Sequence, residues 1–267
     1  MPRVHRYEEV AGELRASIHA GEHAVGGTLP RYEELTDRYG VGRTVIARAI
    51  GVLEREGLVR PVKRKGLVVM DWKRERRRIA RGQVVRRDPN RGYVFPAARD
   101  AAEPWVVHGR PSRDYVPATP RVAELLAVDP QLPVLRRRRV TSPAGEAAFQ
   151  VADTWIAPEA VRDAPRVAEA DTGPGGYLDR LEEAGHGPLS WTEFTRVRMP
   201  DREEAQLLEI SPELPVLELA VVGASASSGT PVEVTVRVIP SDRVELVSEL
   251  RRARSAAWPT EPVSPSS

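Results

Sequence analysis

Residues 29–70 read LPRYEELTDRYGVGRTVIARAIGVLEREGLVRPVKRKGLVVM, and this stretch decides the fold of the N-terminal part of the chain. A helix-forming segment at 32–39 ends at a glycine-containing turn, 40–42, and a second helix begins at Arg43. Apolar residues in the second helix recur at i, i+3, i+4 and i+7, a spacing that predicts one buried stripe. They are Ile46, Ala49, Ile50 and Leu53. Two helices joined by a tight turn predict a helix-turn-helix.

The residues after the second helix predict a wing. Gly57 follows the last helical turn, where a left-handed cap residue is favoured. Two short apolar runs, 58–59 and 67–70, then flank a basic tip. The tip consists of Lys63, Arg64, Lys65 and Gly66. We therefore expect residues 1–70 to form a winged helix-turn-helix domain.

The stripe also determines which side chains remain outside. With it turned inward, the exposed N-terminal end of the second helix presents Arg43, Thr44, Val45 and Arg48. In helix-turn-helix proteins this end enters the major groove of DNA. There arginines can donate in pairs to guanine, threonine suits a phosphate or a base, and valine suits a thymine methyl group. Arg31, before the first of the two helices, would reach a phosphate. The alternative is a small helical domain with solvated arginines.

The composition supports a two-part protein. Residues 1–91 carry 21 Lys and Arg against 12 Asp and Glu, whereas the remainder carries 19 against 26. Only the N-terminal third is thus suited to a polyanion. The absence of cysteine excludes disulfide scaffolds and thiolate metal sites, and the histidines lack metal-ligand spacing. We also find neither a membrane-spanning run nor a signal-peptide core, and we expect a cytoplasmic protein without metal or cofactor.

Two segments have the composition of connecting or terminal chain. Residues 71–91 contain nine arginines and lysines with little apolar periodicity. We expect a basic linker that is exposed and either adds phosphate contacts or is simply solvated. Residues 251–267 are rich in proline and serine and are expected to be disordered. These boundaries leave residues 92–250 for a second domain.

The second domain contains an internal repeat. AELLAVDPQLPVL at 123–135 recurs as AQLLEISPELPVL at 205–217, with an offset of 82 residues. Each copy reads as a short helix, a proline, a strand, a turn containing glycine (Gly145 or Gly229) and another strand. The repeat predicts a pseudo-symmetric antiparallel sheet with helices packed against it, an α+β domain.

Comparison of the two copies predicts inward-facing charges. Leu219 and Val221 lie on the interior side of an alternating strand, and their counterparts in the first copy are Arg137 and Arg139. A buried arginine requires an acidic partner or an anionic ligand. Arg138 would point to the other face and be solvated.

The same comparison aligns Glu233 with Phe149, which places an acid where the first copy is apolar. Two interpretations remain open. Glu233 could pair with an inward arginine and serve structure alone. Alternatively, the arginines could bind the phosphate or carboxylate of a small ligand while Glu233 accepts hydrogen bonds from its hydroxyl or amine groups.

The segment from Tyr7 to residue 70 resembles the N-terminal domain of GntR-type bacterial transcription regulators. The family pattern LPS-E-R-x-L, YGVSRTTVRxAL, L-x-x-x-GL and G-R-G-T-x-V appears here as LPRYEEL, YGVGRTVIARAI, VLEREGLV and KRKGLVV. The resemblance implies that Arg43, Thr44 and the wing at Lys65-Gly66 touch DNA.

This chain departs from the family pattern at three positions of the DNA-binding domain. Glu33 stands where the family usually has a phosphate-binding arginine, Val45 replaces a threonine and Ala47 replaces an arginine. Arg31 and Arg48 are placed to compensate. The operator sequence therefore does not follow from relatives.

Residues 92–250 resemble the effector-binding UTRA domain, found behind the winged helix in the HutC branch and similar in fold to chorismate lyase. The match is carried by the R-x-R strand at 137–139, by GPGGYLDRLEEAGHGPLSWTEF at 173–194 and by TPVEVTVRVIPSDRVEL at 230–246. The resemblance implies an effector site. Its residues would be Arg137, Arg139, Gly175, Gly176, Tyr177 and Glu233.

We therefore expect a homodimeric regulator, a repressor, that binds a pseudo-palindromic DNA operator and responds to a small anionic effector. One alternative is a DNA-binding dimer without an effector. The other is an enzyme of chorismate-lyase-like fold. Against an enzyme, no Ser/His/Asp set, metal cluster or carboxylate pair can be assembled from the sequence.

Overall fold

The computed structural model describes residues 6–62, 65–70, 76–81, 85–88, 92–94, 103–250 and 252–253. The N-terminal domain contains helices α1 (Arg6–His19), α2 (Tyr32–Tyr39) and α3 (Arg43–Arg55), followed by the antiparallel strands β1 (Val59–Val62) and β2 (Gly66–Val69). This order confirms the predicted winged helix-turn-helix.

The core of this domain lies between α1, α3 and the wing. The predicted stripe on α3 is buried at all four positions and packs against Val10, Leu14 and Ile18 of α1. Gly40 ends α2 with φ +58°, and Gly57 follows α3 with φ +70°. Both glycines adopt the left-handed conformation that lets the chain leave a helix. At Gly40 this conformation makes the turn between α2 and α3 tight.

The C-terminal domain contains the remaining elements. Its strands are β3 (Arg77–Ala80), β4 (Arg86–Asp88), β5 (Gly92–Val94), β6 (Trp105–Pro117), β7 (Pro133–Pro143), β8 (Gln150–Ile156), β9 (Leu189–Arg198), β10 (Val216–Ser225), β11 (Pro231–Pro240) and β12 (Val244–Val247). Its helices are α4 (Pro120–Leu126), α5 (Pro158–Asp163), α6 (Gly176–Leu181) and α7 (Arg202–Leu208). Strands β6–β11 form one antiparallel sheet in the order β6-β7-β8-β11-β10-β9. The predicted α+β class is confirmed.

The internal repeat is visible in this topology. One copy is β6-α4-β7-β8 and the other is β9-α7-β10-β11, and the two copies meet where β8 pairs with β11. Both helices end on a non-glycine residue in the left-handed conformation, Ala127 (φ +54°) and Glu209 (φ +52°). These two residues are separated by the 82-residue offset of the sequence repeat.

Part of the predicted linker differs from the expected exposed segment. Strand β3 pairs in parallel with β12, and its residues Arg77 and Ile79 are buried. Arg77 donates two hydrogen bonds to Glu103, at 2.6 and 2.8 Å, which compensates its burial. Residues 77–80 therefore belong to the C-terminal domain. Of the predicted disordered tail, all but residues 252–253 lies outside the described part of the chain.

The prediction that Arg138 would be solvated is wrong. Its side chain is only 13% exposed and pairs with Asp153 of β8 and Glu203 of α7. The reason is that α7 packs on this face of the sheet, whereas α6 covers the opposite face.

Among the residues described, no helix has the length and apolarity needed to cross a membrane.

Candidate functional site

The exposed end of α3 is the first candidate site. Gly42, in an extended conformation, is the N-cap, so α3 begins at Arg43. Arg43, Thr44 and Arg48 are exposed, and Val45 is half-buried. Because the buried stripe faces α1, these side chains share the outer surface of the helix start.

A groove between α2, α3 and the wing brings several predicted DNA contacts together. Its lining includes Arg31, Arg43, Lys65 and Gly66. Lys65 Nζ donates a 2.9 Å hydrogen bond to the carbonyl of Gly26, which anchors the wing beside the helices. The two other residues predicted at the wing tip, Lys63 and Arg64, lie outside the described residues.

Arg43 is contacted from the neighbouring helix. Its guanidinium carbon lies 5.5 Å from the centre of the Tyr32 ring. Its Nη1 lies 3.5 Å from Oε1 of Glu33. Both residues belong to the first turn of α2, so this turn sets the surroundings of the predicted base-reading arginine.

The second candidate site is a small, largely enclosed cavity of about 90 Å³ between the sheet and α6. Alternation along β11 turns three of its side chains toward the cavity. The lining comprises Tyr93, Arg139, Tyr177, Leu178, Val221, Glu233, Thr235 and Arg237. The cavity is too small for a large ligand without rearrangement and is mostly polar on its β11 side.

Glu233 is the buried acid of this cavity, with 1% of its surface exposed. Its Oε2 accepts hydrogen bonds from Thr235 Oγ1 at 2.9 Å and from the Tyr177 hydroxyl at 3.4 Å. Burial raises the pKa of Glu233 to about 7, although these hydrogen bonds and the charges of Arg237 and Arg139 oppose the shift. The carboxyl group of Glu233 therefore changes between its protonated and charged forms near neutral pH.

Two arginines face the same cavity. Arg139, which is half-buried, makes no hydrogen bond or ion pair with the residues that the structure describes. Burial lowers the pKa of Arg237, and the positive charge of Arg139 acts in the same direction. The lining thus contains two guanidinium groups and one carboxyl group, a composition that favours an anionic ligand.

Arg137, also predicted in this site, does not line the cavity. Its Nη1 donates to the carbonyls of Val167 and Glu169, at 2.5 and 2.6 Å. Burial lowers the pKa of Arg137, and the nearby charges of Arg113 and Arg139 contribute. It lies on the same face of β7 as Arg139, but under the loop after α5, and it holds that loop on the sheet.

Gly175 and Gly176 also lie outside the lining and instead shape the start of α6. Gly175 has φ +83°, and a Cβ at this position would collide with the carboxylate of Asp179. Asp179 is itself buried and pairs with Arg87. The two glycines thus position Tyr177, whose hydroxyl reaches Glu233 and Thr235. Burial raises the pKa of Tyr177 to about 12, so this hydroxyl remains a donor at neutral pH.

Five lining residues were not among those predicted from the sequence: the apolar Leu178 and Val221, and Tyr93, Thr235 and Arg237. Thr235 and Arg237 follow Glu233 at i+2 and i+4, so the alternation of the strand was a usable signal for both. Tyr93 comes from β5, which lies just beyond the segment predicted as a linker, and nothing in its local sequence indicated this contact. Its hydroxyl donates to Glu182 at 2.6 Å, and its ring centre lies 4.9 Å from that of Trp191.

Within the described ranges, we find no group of three or more histidine, aspartate or glutamate residues able to hold a metal ion. The two sites therefore offer the chemistry of arginine, hydroxyl and carboxyl groups.

Comparison with known protein families separates the same two regions. The model for bacterial regulatory proteins of the gntR family matches residues 6–69. The model for the UTRA domain matches residues 112–245, which is half of the chain. The first match covers the candidate nucleic-acid interface, and the second contains all the cavity residues except Tyr93.

Full-length relatives share both parts. An uncharacterised HTH-type transcriptional regulator of Rhizobium meliloti is 26% identical over 243 residues, which are 90% of this chain and 93% of that protein. Another, from Streptomyces coelicolor, is 28% identical over 229 residues, 82% of each chain. A crystal structure assigned to a GntR-family transcriptional regulator has a TM-score of 0.55 and 28% identity, covering 93% of this chain and 98% of that one. The family and these relatives are transcription regulators, not enzymes.

Proposed function

We propose that this chain, which belongs to the GntR family of bacterial regulatory proteins and has the HutC-type architecture with a UTRA domain, is a homodimeric repressor released by a small anion. As a member of this family it is a DNA-binding transcription regulator. Beyond family membership, the proposal states that the protein represses transcription, forms a dimer and is located in the cytoplasm. It also states which residues read DNA and what kind of effector binds.

The DNA-binding part of the proposal is supported by the charge and the shape of the groove. Arg43, Thr44, Val45 and Arg48 would meet base edges, whereas Arg31 and the wing residues 63–66 would contact phosphates. A dimer presents two recognition helices, so its operator would be pseudo-palindromic with half-sites about one helical turn apart.

The effector part of the proposal depends on one observation: beside the buried Glu233, the guanidinium of Arg139 has no hydrogen bond or ion pair among the residues that the structure describes. A half-buried cation loses part of its hydration, and an anionic ligand would compensate that loss. We assign phosphate or carboxylate binding to Arg139 and Arg237, and contacts with hydroxyl or amine groups to Glu233 and Tyr177. Arg137, Gly175 and Gly176 would support the site without touching the ligand.

Ligand entry would act on DNA binding through the dimer geometry. An effector shifts an equilibrium only by its difference in affinity for the two states. The proposal therefore requires the anion to bind more tightly to a dimer whose recognition helices no longer match the operator spacing.

A combined experiment tests these assignments on the full chain. Selection from a randomised duplex library identifies the operator, and a thermal-shift screen of sulfate, sugar phosphates and small carboxylates identifies a ligand. Arg43→Ala should lose roughly 1–3 kcal/mol of operator discrimination. Arg139→Ala should retain operator binding and lose release by the ligand. Arg162→Ala, at an exposed arginine outside both sites, is the matched control.

Three outcomes would count against the proposal. Equal binding of all duplexes in low salt would contradict operator recognition. Normal release from Arg139→Ala would mean that the cavity is not the effector site. A fall in transcription beside the operator after deletion of the gene would contradict a repressor.

A further inference from the structure

We propose that Glu33 is a specificity-determining residue of the DNA interface. Its carboxylate would orient the guanidinium of Arg43 toward a base edge and reduce its attraction to backbone phosphates. This inference rests on the proposed DNA-reading role of Arg43.

The first observation is that two adjacent acids at the start of α2 have different contacts. Glu34 accepts a 2.7 Å hydrogen bond from the backbone N–H of Arg31 and thereby caps the helix. The side chain of Glu33 instead pairs with Arg43, across the turn between the two helices. Capping therefore explains Glu34, whereas Glu33 shares only the general preference of a first helical turn for negative charge and makes no capping hydrogen bond among the described residues.

The second observation is that Glu33 lies on the surface that would face a polyanion. Its side chain is 73% exposed, and it lines the same groove as Arg31, Lys65 and Arg43. A carboxylate near DNA phosphates weakens binding to every sequence, and an exposed ion pair adds little stability. An acid in this position thus lowers general DNA affinity, and its ion pair with Arg43 adds little to the free energy of folding.

The third observation concerns the freedom of Arg43. The Tyr32 ring and the Glu33 carboxylate restrict a side chain that is itself 74% exposed. An arginine carries about 2 kcal/mol of rotamer entropy, so restraint before binding lowers the cost of ordering it on DNA. A guanidinium has five N–H donors, so the same group can keep Glu33 through Nη1 and still donate in pairs to guanine.

These observations predict opposite effects on general affinity and on discrimination. When Glu33 is present, part of the charge of Arg43 is neutralised, so phosphate attraction falls. The directed N–H groups of Arg43 remain available, so the preference for guanine is retained. Loss of the carboxylate should strengthen binding to random DNA and weaken the distinction between bases.

The test is a double-mutant cycle on the full chain. Wild type, Glu33→Gln, Arg43→Ala and the double variant are titrated against three duplexes. These are the selected operator, the operator changed at the base pair whose preference Arg43→Ala abolishes, and a random sequence. Asp37→Asn is the matched control, because it removes one exposed charge from the same helix and Asp37 has no hydrogen bond or ion pair among the described residues.

We expect Glu33→Gln to bind random DNA several-fold more tightly and to steepen the salt dependence by about one unit of slope. We expect its discrimination at the chosen base pair to fall by about fivefold to tenfold, within the range that one bidentate contact supplies. In the Arg43→Ala background Glu33→Gln should leave discrimination unchanged. Asp37→Asn should change discrimination less than about twofold.

Each other outcome overturns the inference and identifies what failed. If wild type selects no operator, or Arg43→Ala keeps full discrimination, the proposed DNA-reading role of Arg43 is wrong, and so is this inference. If Arg43→Ala loses discrimination while Glu33→Gln keeps it, only the role of Glu33 is wrong. Equal effects of Glu33→Gln and Asp37→Asn would mean that Glu33 acts only through the net charge of the domain. A change in discrimination caused by Glu33→Gln in the Arg43→Ala background would mean that residue 33 contacts the base pair itself.

Discussion

Arg55, in the last turn of α3, donates a 2.5 Å hydrogen bond from Nη1 to Oε2 of Glu213 and thereby joins α3 to the C-terminal domain. Glu213 lies in the turn between α7 and β10. Helix α7 is in turn held on the sheet by the pair between Glu203 and Arg138, and Arg138 is the neighbour of the cavity residue Arg139. Two ion pairs, joined through β7 and the segment from α7 to Glu213, therefore link the region of the cavity to α3.

Reversal of one charge in the Arg55–Glu213 pair should loosen the two domains without unfolding either. The side chains are 51% and 53% exposed, so we expect a change of at most about 1 kcal/mol. Calorimetry of Arg55→Glu should show a lower midpoint for the DNA-binding domain, and the exchanged pair Arg55→Glu/Glu213→Arg should restore it. Arg78→Glu, in an exposed pair within the C-terminal domain, should leave this midpoint unchanged. Failure of the exchanged pair to recover would contradict a direct interaction.

Glu233 should make the stability of the C-terminal domain dependent on pH. Its pKa is about 7 in the fold against 4.5 in the unfolded chain. Between these values the folded state binds one proton more, so the free energy of unfolding falls as the pH rises and levels off above about pH 7. Glu233→Gln should remove this slope and be more stable than wild type at pH 8, by an amount on the order of a few kcal/mol.

Urea denaturation at pH 5, 6, 7 and 8 measures this difference. The control is Glu169→Gln, which replaces an exposed carboxylate of the same domain and should keep the wild-type slope. Parallel curves for wild type and Glu233→Gln would mean that the carboxyl group does not titrate in this range.

The same titration predicts the pH dependence of anion binding. Protonation of Glu233 removes the negative charge that faces Arg139 and Arg237, so the affinity for an anion should rise as the pH falls through about 7. Sulfate is a suitable calorimetric probe because its own charge does not change over this range. Glu233→Gln should bind sulfate with an affinity that is nearly independent of pH, whereas an unchanged dependence would assign it to another group.

Local patterns were sufficient to predict the N-terminal domain. The i, i+3, i+4, i+7 stripe, Gly40 and Gly57 each constrain a neighbouring stretch of chain, and their effects agree. The repeat likewise predicted α4-β7-β8 and α7-β10-β11. The alternation of LSWTEFTRV at 189–197 also predicted β9. The other outer strand, β6, was not predicted, because its sequence lacks regular alternation and has no likeness to β9, its counterpart in the second copy.

The cavity could be predicted only in part, because its members come from distant elements. Alternation turned Arg139 and Glu233 toward the same face, and it would also have identified Arg237. It could not tell Arg139 from Arg137, since both obey the same period. The two arginines differ because carbonyl groups of the loop after α5 accept hydrogen bonds from Arg137. The position of that loop depends on tertiary packing.

The two adjacent glycines before Tyr177 should respond differently to alanine. Both have positive φ, +83° at Gly175 and +77° at Gly176, so each substitution costs about 1 kcal/mol in backbone strain. At Gly176 nothing lies within 4 Å of an added Cβ, whereas at Gly175 the Cβ would meet the buried Asp179. Gly175→Ala should therefore lose about 3 kcal/mol or more, and Gly176→Ala about 1. Equal denaturation midpoints would contradict the close packing at Gly175.

Arg77 and Arg78, neighbours in β3, provide the last comparison. Arg77 is 5% exposed, donates twice to Glu103 and has its guanidinium carbon 5.5 Å from the Trp105 ring and 5.4 Å from the Phe149 ring. Arg78 points outward, is 67% exposed and pairs with an exposed glutamate.

Loss of Arg77 removes two charged hydrogen bonds from the largely buried carboxylate of Glu103, which costs far more than loss of an exposed pair. Arg77→Met, which keeps most of the volume, should therefore lower the free energy of unfolding by about 3 kcal/mol. Arg78→Met should change it by less than about 0.5 kcal/mol. Urea midpoints of the two variants measure the difference directly. If the two losses are equal and small, β3 is not packed against the sheet, and residues 71–91 are the exposed linker that their composition predicts.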